Sequence, residues 1–200
     1  MSAATGAASG RSVILVIDTS ATRWAVAVID QTGKGRTLIE SSERPDLALV
    51  YEKIETPTKV AVATGPGSFT GLRVGVSFGV GLAMGLRIPI LPLPSLDLQA
   101  ARSDVPVTAV LEAGRGRVYY QLPGGSPQHG EPGDVPSSHS LVGNVAPKTR
   151  EGLIAAGHHF RPESELRDFS EAAGIVLETA REVAYGSLEI KYMQSFSAKP

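Results

Sequence analysis

Asp18 and Glu112 are the acidic residues placed where they could do chemistry. Each closes a short apolar run, VILVI before Asp18 and VTAVL before Glu112, and each then enters a turn. A carboxylate at the end of a strand can hold a metal–nucleotide complex, and two lobes that each offer one to a cleft make a phosphate-transfer machine. The same position also suits an Asp that bonds the amides of its own turn. The third candidate is the loop TGPGSFTG, residues 64–71. A glycine turn running into a helix presents unpaired N–H groups and the positive end of a helix dipole to an anion. However, no Lys-Ser or Lys-Thr follows Gly71, the GxGxxG spacing is absent, and Pro66 removes a donor. Gly67 and Ser68 are thus cofactor-site candidates beside Asp18, weighed against a turn that uses glycine for its backbone freedom. Thr70 is expected to cap the helix that follows.

The other chemistry-bearing residues point away from catalysis. The histidines are His129, His139, His158 and His159. The adjacent pair would point about 100° apart on a helix, and neither HxxxH nor HExxH occurs, so no metal site is expected. Without cysteine there is no disulfide, thiolate zinc site or thiol nucleophile. Ser68 has no evident His-Asp relay. No catalytic residue is assigned.

The elements that must position these residues follow from periodicity. VILVI (13–17) and WAVAVI (24–29) read as a hairpin around the turn DTSATR, with a third strand at 38–42. Residues 45–54 have helical spacing with Pro45 in the first turn. KVAVA (59–63) reads as a strand, the prolines of 89–94 as a stiff crossing segment, and 95–101 as a helix capped by Ser95. The pattern then restarts. Strand, turn and strand at 107–122 place Glu112 on Asp18 and Arg117 on Arg23, and SLVGN with a helix at 148–156 echoes KVAVATG and its helix. PGGSPQHGEPGDVP (123–136) is a surface loop, 171–185 a helix that stops at Gly186, and LEIKYM a short extended segment. The reading is an α/β chain. Residues 1–12 form a disordered tail and 13–102 a first lobe. Residues 103–200 form a second, related lobe whose last helix could pack back on the first.

The helix after the loop carries Gly71, Gly75, Gly79 and Ala83 four residues apart, on one face. Interior glycines cost about 1 kcal/mol each relative to alanine, so the row needs a compensating close contact. It is read as a flat face for another subunit's helix, with packing inside the chain as the alternative. Leu72, Val76 and Val80 add apolar area all round, and such a helix is expected to be buried on every side. Net charge is -1 and the apolar fraction 42%. That balance lacks the basic field of a chain that holds nucleic acid alone. No apolar segment of membrane-spanning length is expected, and a cytoplasmic location follows.

IDTS (17–20), GPGSFTGLRVG (65–75), GLAMGLRIPI (81–90) and EAGRGRVYY (112–120) together resemble the TsaB (YeaZ) family, subunits of the bacterial machinery that makes threonylcarbamoyladenosine in tRNA. The resemblance is strongest over 13–100. It implies the actin-like ATPase, RNase H-like (ASKHA) fold with two related lobes, and a non-catalytic scaffold that binds and activates a TsaD-type catalytic subunit. A TsaE-type ATPase would join that pair, and tRNA would be reached only through the complex. It implies no cofactor of the chain's own, with ATP or ADP and metal on the partner subunits, and a homodimer when alone. Carried onto this sequence, the interface falls on Leu47, Val50 and Tyr51 of the first helix and on Gly71, Leu72, Gly75, Val76, Gly79, Val80 and Ala83. The segment 43–59 departs from the family pattern: it is short and has no histidine. The alternatives are an actin-like ATPase or small-molecule kinase using Asp18, and a glycoprotease-like hydrolase.

Overall fold

A computed structural model describes residues 12–193. The tail expected over residues 1–12 therefore lies outside the described residues except for Ser12. Two sheets repeat one design. The first has strands β1 (Val13–Asp18), β2 (Trp24–Asp30), β3 (Gly35–Ser41), β4 (Lys59–Gly65) and β5 (Ile90–Pro94) in the order β3-β2-β1-β4-β5. β1 pairs antiparallel with β2 and parallel with β4. The second has β6 (Thr108–Gly114), β7 (Arg117–Gln121), β8 (Gln128–Gly130) and β9 (Leu141–Val142) in the order β8-β7-β6-β9. β6 pairs antiparallel with β7 and parallel with β9. Asp18 lies opposite Ala25 and Glu112 opposite Val118, so each candidate carboxylate sits at the end of the first strand of its sheet.

Period-2 alternation builds the first sheet's two cores. Leu15, Ile17, Val60 and Val62 face α1 (Leu47–Tyr51) and α2 (Phe69–Leu86). Val16, Ala61 and Ala63 face the other way, where α3 (Ser95–Ala100) and α5 (Phe169–Leu177) supply Leu98, Phe169, Ala173 and Val176. The last helix thus closes the first sheet, not the second. The second sheet packs Val110, Val118 and Leu141 against Leu153 of α4 (Pro147–Ala155). A seam of Ala21, Leu96, Ala109, Leu111 and Tyr119 joins the halves.

Several elements differ from the sequence reading. The proline segment 89–94 is largely strand β5, on the sheet's edge, where missing N–H groups are tolerated. α1 is five residues long, capped by Asp46. α2 starts at Phe69 and is capped by Ser68, whose side chain accepts from Gly71 N; Thr70 lies inside the helix. Ser95 does not cap α3: Pro94 holds that position, and the Ser95 hydroxyl accepts from Gly65 N at 3.0 Å. α5 starts earlier, at a capping box of Asp168 and Glu171, and ends at Leu177. The chain then turns so that Val183 bridges Ile90 on β5. A short strand, β8, lies in the loop 123–136.

α2 also corrects the membrane reading: at 18 residues and mean hydropathy 1.4 it is long and apolar enough to cross a bilayer by length and composition. One of its faces is packed on the sheet through Gly75, Val76, Gly79 and Ala83.

Candidate functional site

A cleft of about 520 Å³ opens between the two halves, under the turns that follow β1 and β6 and beside the start of α2. Ser20, Gly67, Ser68 and Glu112 line it, and Asp18 does not. Asp18 is 2% exposed. Its Oδ1 accepts from Ser20 N at 2.8 Å and from Ser20 Oγ at 2.6 Å. Burial pushes its pKa up, the Ser20 bonds pull it down, and the charge of Glu40 adds to the rise. Asp18 is therefore buried behind the cleft wall and ties its own turn through Oδ1. Glu112 repeats the device. Its Oε1 accepts from Gly114 N and its Oε2 from Ala146 N, both at 3.0 Å. Both turns thus hold their shape with a carboxylate that sits two residues before the amide it accepts.

The glycine loop is a packing device of the same kind. Ser68 N donates to Ser20 O at 2.7 Å, and Gly65 N and Gly71 N donate to the hydroxyls of Ser95 and Ser68. Three of the loop's amides are thus used inside the chain. A Cβ on Gly67 would land on the Ser20 carbonyl oxygen and one on Gly71 on that of Thr19. Thr19 Oγ1 donates to Gly71 O at 2.7 Å. The glycines let the turn after β1 press backbone to backbone on the first turn of α2. Gly67 and Ser68 belong to the cleft wall, but their backbone serves this contact.

Four aromatic residues also line the cleft: Trp24, Phe69, Tyr119 and Tyr192. Arg44 lies over Trp24, and Arg73 lies over Phe69 at 3.8 Å and donates from Nε to the Tyr192 hydroxyl at 3.2 Å. Tyr119 stacks on His129, and burial raises its phenol pKa. Among the described residues no cluster of three His, Asp or Glu could hold a metal.

The glycine row at 71, 75, 79 and 83 faces inward. A Cβ on Gly75 would meet Thr19 Oγ1, and one on Gly79 would meet Val62 Cγ1. Gly71, Leu72, Gly75, Val76, Gly79 and Ala83 are buried in the chain itself, as is Leu47 of α1. These seven positions do not form a free docking surface, and the helix is not covered on every side. Its outer face carries Val74, Ser77, Gly81, Met84 and Gly85, all exposed, with Val80, Val50 and Tyr51 half-buried at the edges. Gly81 and Gly85 have open space where a Cβ would stand. Exposed Leu49 of α1 lies over the same face of the sheet. The second small row, Ser77, Gly81 and Gly85, has the same four-residue spacing, so spacing alone could not say which row faces out.

Over residues 49–130 the chain matches the family TsaD: tRNA N6-adenosine threonylcarbamoyltransferase. It is 43% identical over 68 residues to the tRNA threonylcarbamoyladenosine biosynthesis protein TsaB of Bacillus subtilis, covering 32% of this chain and 30% of that protein. It is 28% identical over 123 residues to TsaB of Haemophilus influenzae, covering 54% and 52%. With TsaB of Escherichia coli it shares 35% over 80 residues, covering 36% and 35%. The matches thus span between 30% and 52% of the length of these relatives. The structure of YeaZ from Pseudomonas aeruginosa superposes with a TM-score of 0.67 at 21% identity, covering 91% of this chain and all of that one.

Proposed function

We propose, from the premise that this chain is a relative of the TsaB (YeaZ) proteins by sequence and fold, that it is a non-catalytic scaffold subunit in the making of threonylcarbamoyladenosine in tRNA. The observation that carries the proposal is the outer face of α2, where Val74 and Met84 are exposed and Gly81 and Gly85 are open to approach. Small residues on a helix face let another backbone approach closely, and the flanking side chains supply apolar area to such a contact. The scaffold docks this face on a TsaD-type catalytic subunit, and a TsaE-type ATPase joins the pair. ATP or ADP and metal belong to those partners, and tRNA reaches this chain only through them. Alone, the chain pairs with itself through the same face. It works in the cytoplasm.

The non-catalytic part of the reading is supported by how the acidic residues are used. Asp18 and Glu112 both accept from neighbouring backbone N–H groups. The test is reconstitution with a TsaD-type partner, a TsaE-type ATPase, tRNA and the threonylcarbamoyl donor. Modification should require this chain together with its partners, and the chain alone should hydrolyse no ATP above background. ATP turnover by the isolated chain that is lost in Asp18→Ala would refute the scaffold reading.

A further inference from the structure

Arg73 is an exposed cation at the head of the outer row of α2. It stands four residues before Ser77, and the row continues through Gly81 and Gly85, all of them exposed. Its guanidinium is held at two points. It lies over the Phe69 ring at 3.8 Å, and its Nε donates to the Tyr192 hydroxyl at 3.2 Å. Tyr192 is anchored in turn. Its ring lies against Phe69, and the amide before it, Lys191 N, donates to Thr64 O at 2.8 Å. Among the described residues no carboxylate pairs with Arg73, and its terminal nitrogens have no acceptor. Arg102 and Arg161, by contrast, each pair with two carboxylates of the chain itself. An exposed ion pair is weak largely because two flexible side chains must be ordered to make it. Here one of the two is already ordered. The stack and the Nε bond set the plane of the guanidinium and leave its end, the two Nη groups, to be met by a carboxylate through two parallel bonds.

We propose that Arg73 selects the protein that docks on α2 by gripping an Asp or Glu side chain of that protein, a proposal that rests on the docking of α2 described above. Arginine is enriched among the residues that dominate interfaces, and a side chain set in advance loses less entropy on binding. A second copy that laid its own α2 on this face would bring no acid, because α2 contains no Asp or Glu. Arg73 therefore favours a foreign subunit over self-pairing.

The full chain is titrated by calorimetry into a TsaD-type subunit at low and at high salt. Arg73→Gln should melt as the wild type does but bind about ten-fold weaker or more, the scale of a lost charge pair at an interface. Arg73→Lys keeps the charge without the fork and should recover only part of that loss. Tyr192→Phe, which releases Nε, should weaken binding about two- to three-fold. The wild-type affinity should fall with salt more steeply than that of Arg73→Gln, a difference that a merely structural residue would not make. Acidic residues of the partner are then replaced one at a time by their amides, and one replacement should cost nothing further in the Arg73→Gln background. Gly81→Leu is the control for docking itself. Binding lost in Gly81→Leu but kept at wild-type strength in Arg73→Gln overturns the role of Arg73 and leaves docking on α2 standing. Wild-type binding in both variants overturns both. Wild-type affinity in Arg73→Lys also overturns the grip, and decides alone should Arg73→Gln not fold. Loss of self-association in Arg73→Gln at unchanged partner affinity would assign the acid to a second copy and overturn it likewise.

Discussion

Thr19 decides which glycines of α2 can be replaced. Its carbonyl oxygen stands where a Cβ on Gly71 would go, and its hydroxyl where a Cβ on Gly75 would go. A backbone carbonyl cannot move aside, and the Val62 methyl against Gly79 belongs to a fully buried, stiff β-branched side chain with little more room. Alanine in place of a helical glycine gains about 1 kcal/mol of helix propensity, and overpacking costs about 1–3 kcal/mol. The balance predicts an order. Gly71→Ala should lose about 2 kcal/mol or more, Gly79→Ala should lose about 1 kcal/mol, and Gly81→Ala, with open space, should gain up to about 1 kcal/mol. Urea melts of the three variants measure the order, and Gly71→Ala at wild-type stability would show that the turn after β1 can retreat. Asp18 gives a pH prediction. Its folded-state pKa is raised by burial. A carboxyl raised above its unfolded value stabilises the fold below the unfolded pKa, and that stability is lost as pH rises through the folded one. At neutral pH the buried charge is a liability, and Asn can still accept the two Ser20 bonds. Asp18→Asn should therefore melt at or above the wild-type temperature at pH 7, and the difference should vanish on acidification below the ordinary carboxylate range. A clear drop at pH 7 would show that the charge itself is needed.

At the scale of elements, the start of α2 is set by Ser68, whose hydroxyl accepts from Gly71 N at 3.2 Å. Ser68→Ala should cost about 1 kcal/mol, or roughly 2–4 °C in melting temperature for a chain of this size. Thr70→Ala, inside the helix, should cost less than half of that, and the reverse order by calorimetry would return the cap to Thr70. The expected cap, Thr70, lies two residues past the true one because both residue types cap well, and it is Ser68 whose hydroxyl accepts from Gly71 N. Strands β1, β2 and β4 were legible because alternation along them is clean. β5 was hidden by Pro92 and Pro94, which read as breakers but sit on an edge. The end of α5 was misplaced because Ala180 and Val183 pack on the first sheet's cores whether or not the helix continues. The glycine row was legible as a close contact, but its partners lie elsewhere in the sequence, Thr19 on the turn after β1 and Val62 on β4. Periodicity reports a face, not what covers it.

At the scale of the whole molecule, the duplicated sheets do not make two independent halves. α5 follows the second sheet yet packs on the first, where Ser170 N donates to Thr37 Oγ1 at 3.0 Å. Arg102, 5% exposed, pairs with Glu40 and Glu163, and Arg167 donates to the carbonyls of Ala101 and Ser103. The chain after α5 then crosses to the first sheet through Val183 N to Ile90 O and Lys191 N to Thr64 O. α5 ties one face of the first sheet to the rest of the chain, while Val183 and Tyr185 of the segment after it pack beside α2. On the other face, α2 turns its outer stripe to the surface, with Val74 39% and Met84 55% exposed and Leu49 of α1 at 54%. If association uses that stripe, a side chain added there should harm binding and spare the fold. One added on the inner row should harm the fold first. Gly81→Leu and Met84→Glu should keep wild-type melting but weaken the complex with a TsaD-type partner by about thirty-fold or more, the scale of a lost hot spot. Gly79→Leu should lose stability, and any loss of binding should follow from that. Light scattering and melting curves on the same samples separate the two cases, and the partner should displace any homodimer of the wild type. Wild-type affinity in Gly81→Leu and Met84→Glu together would move the docking surface off α2.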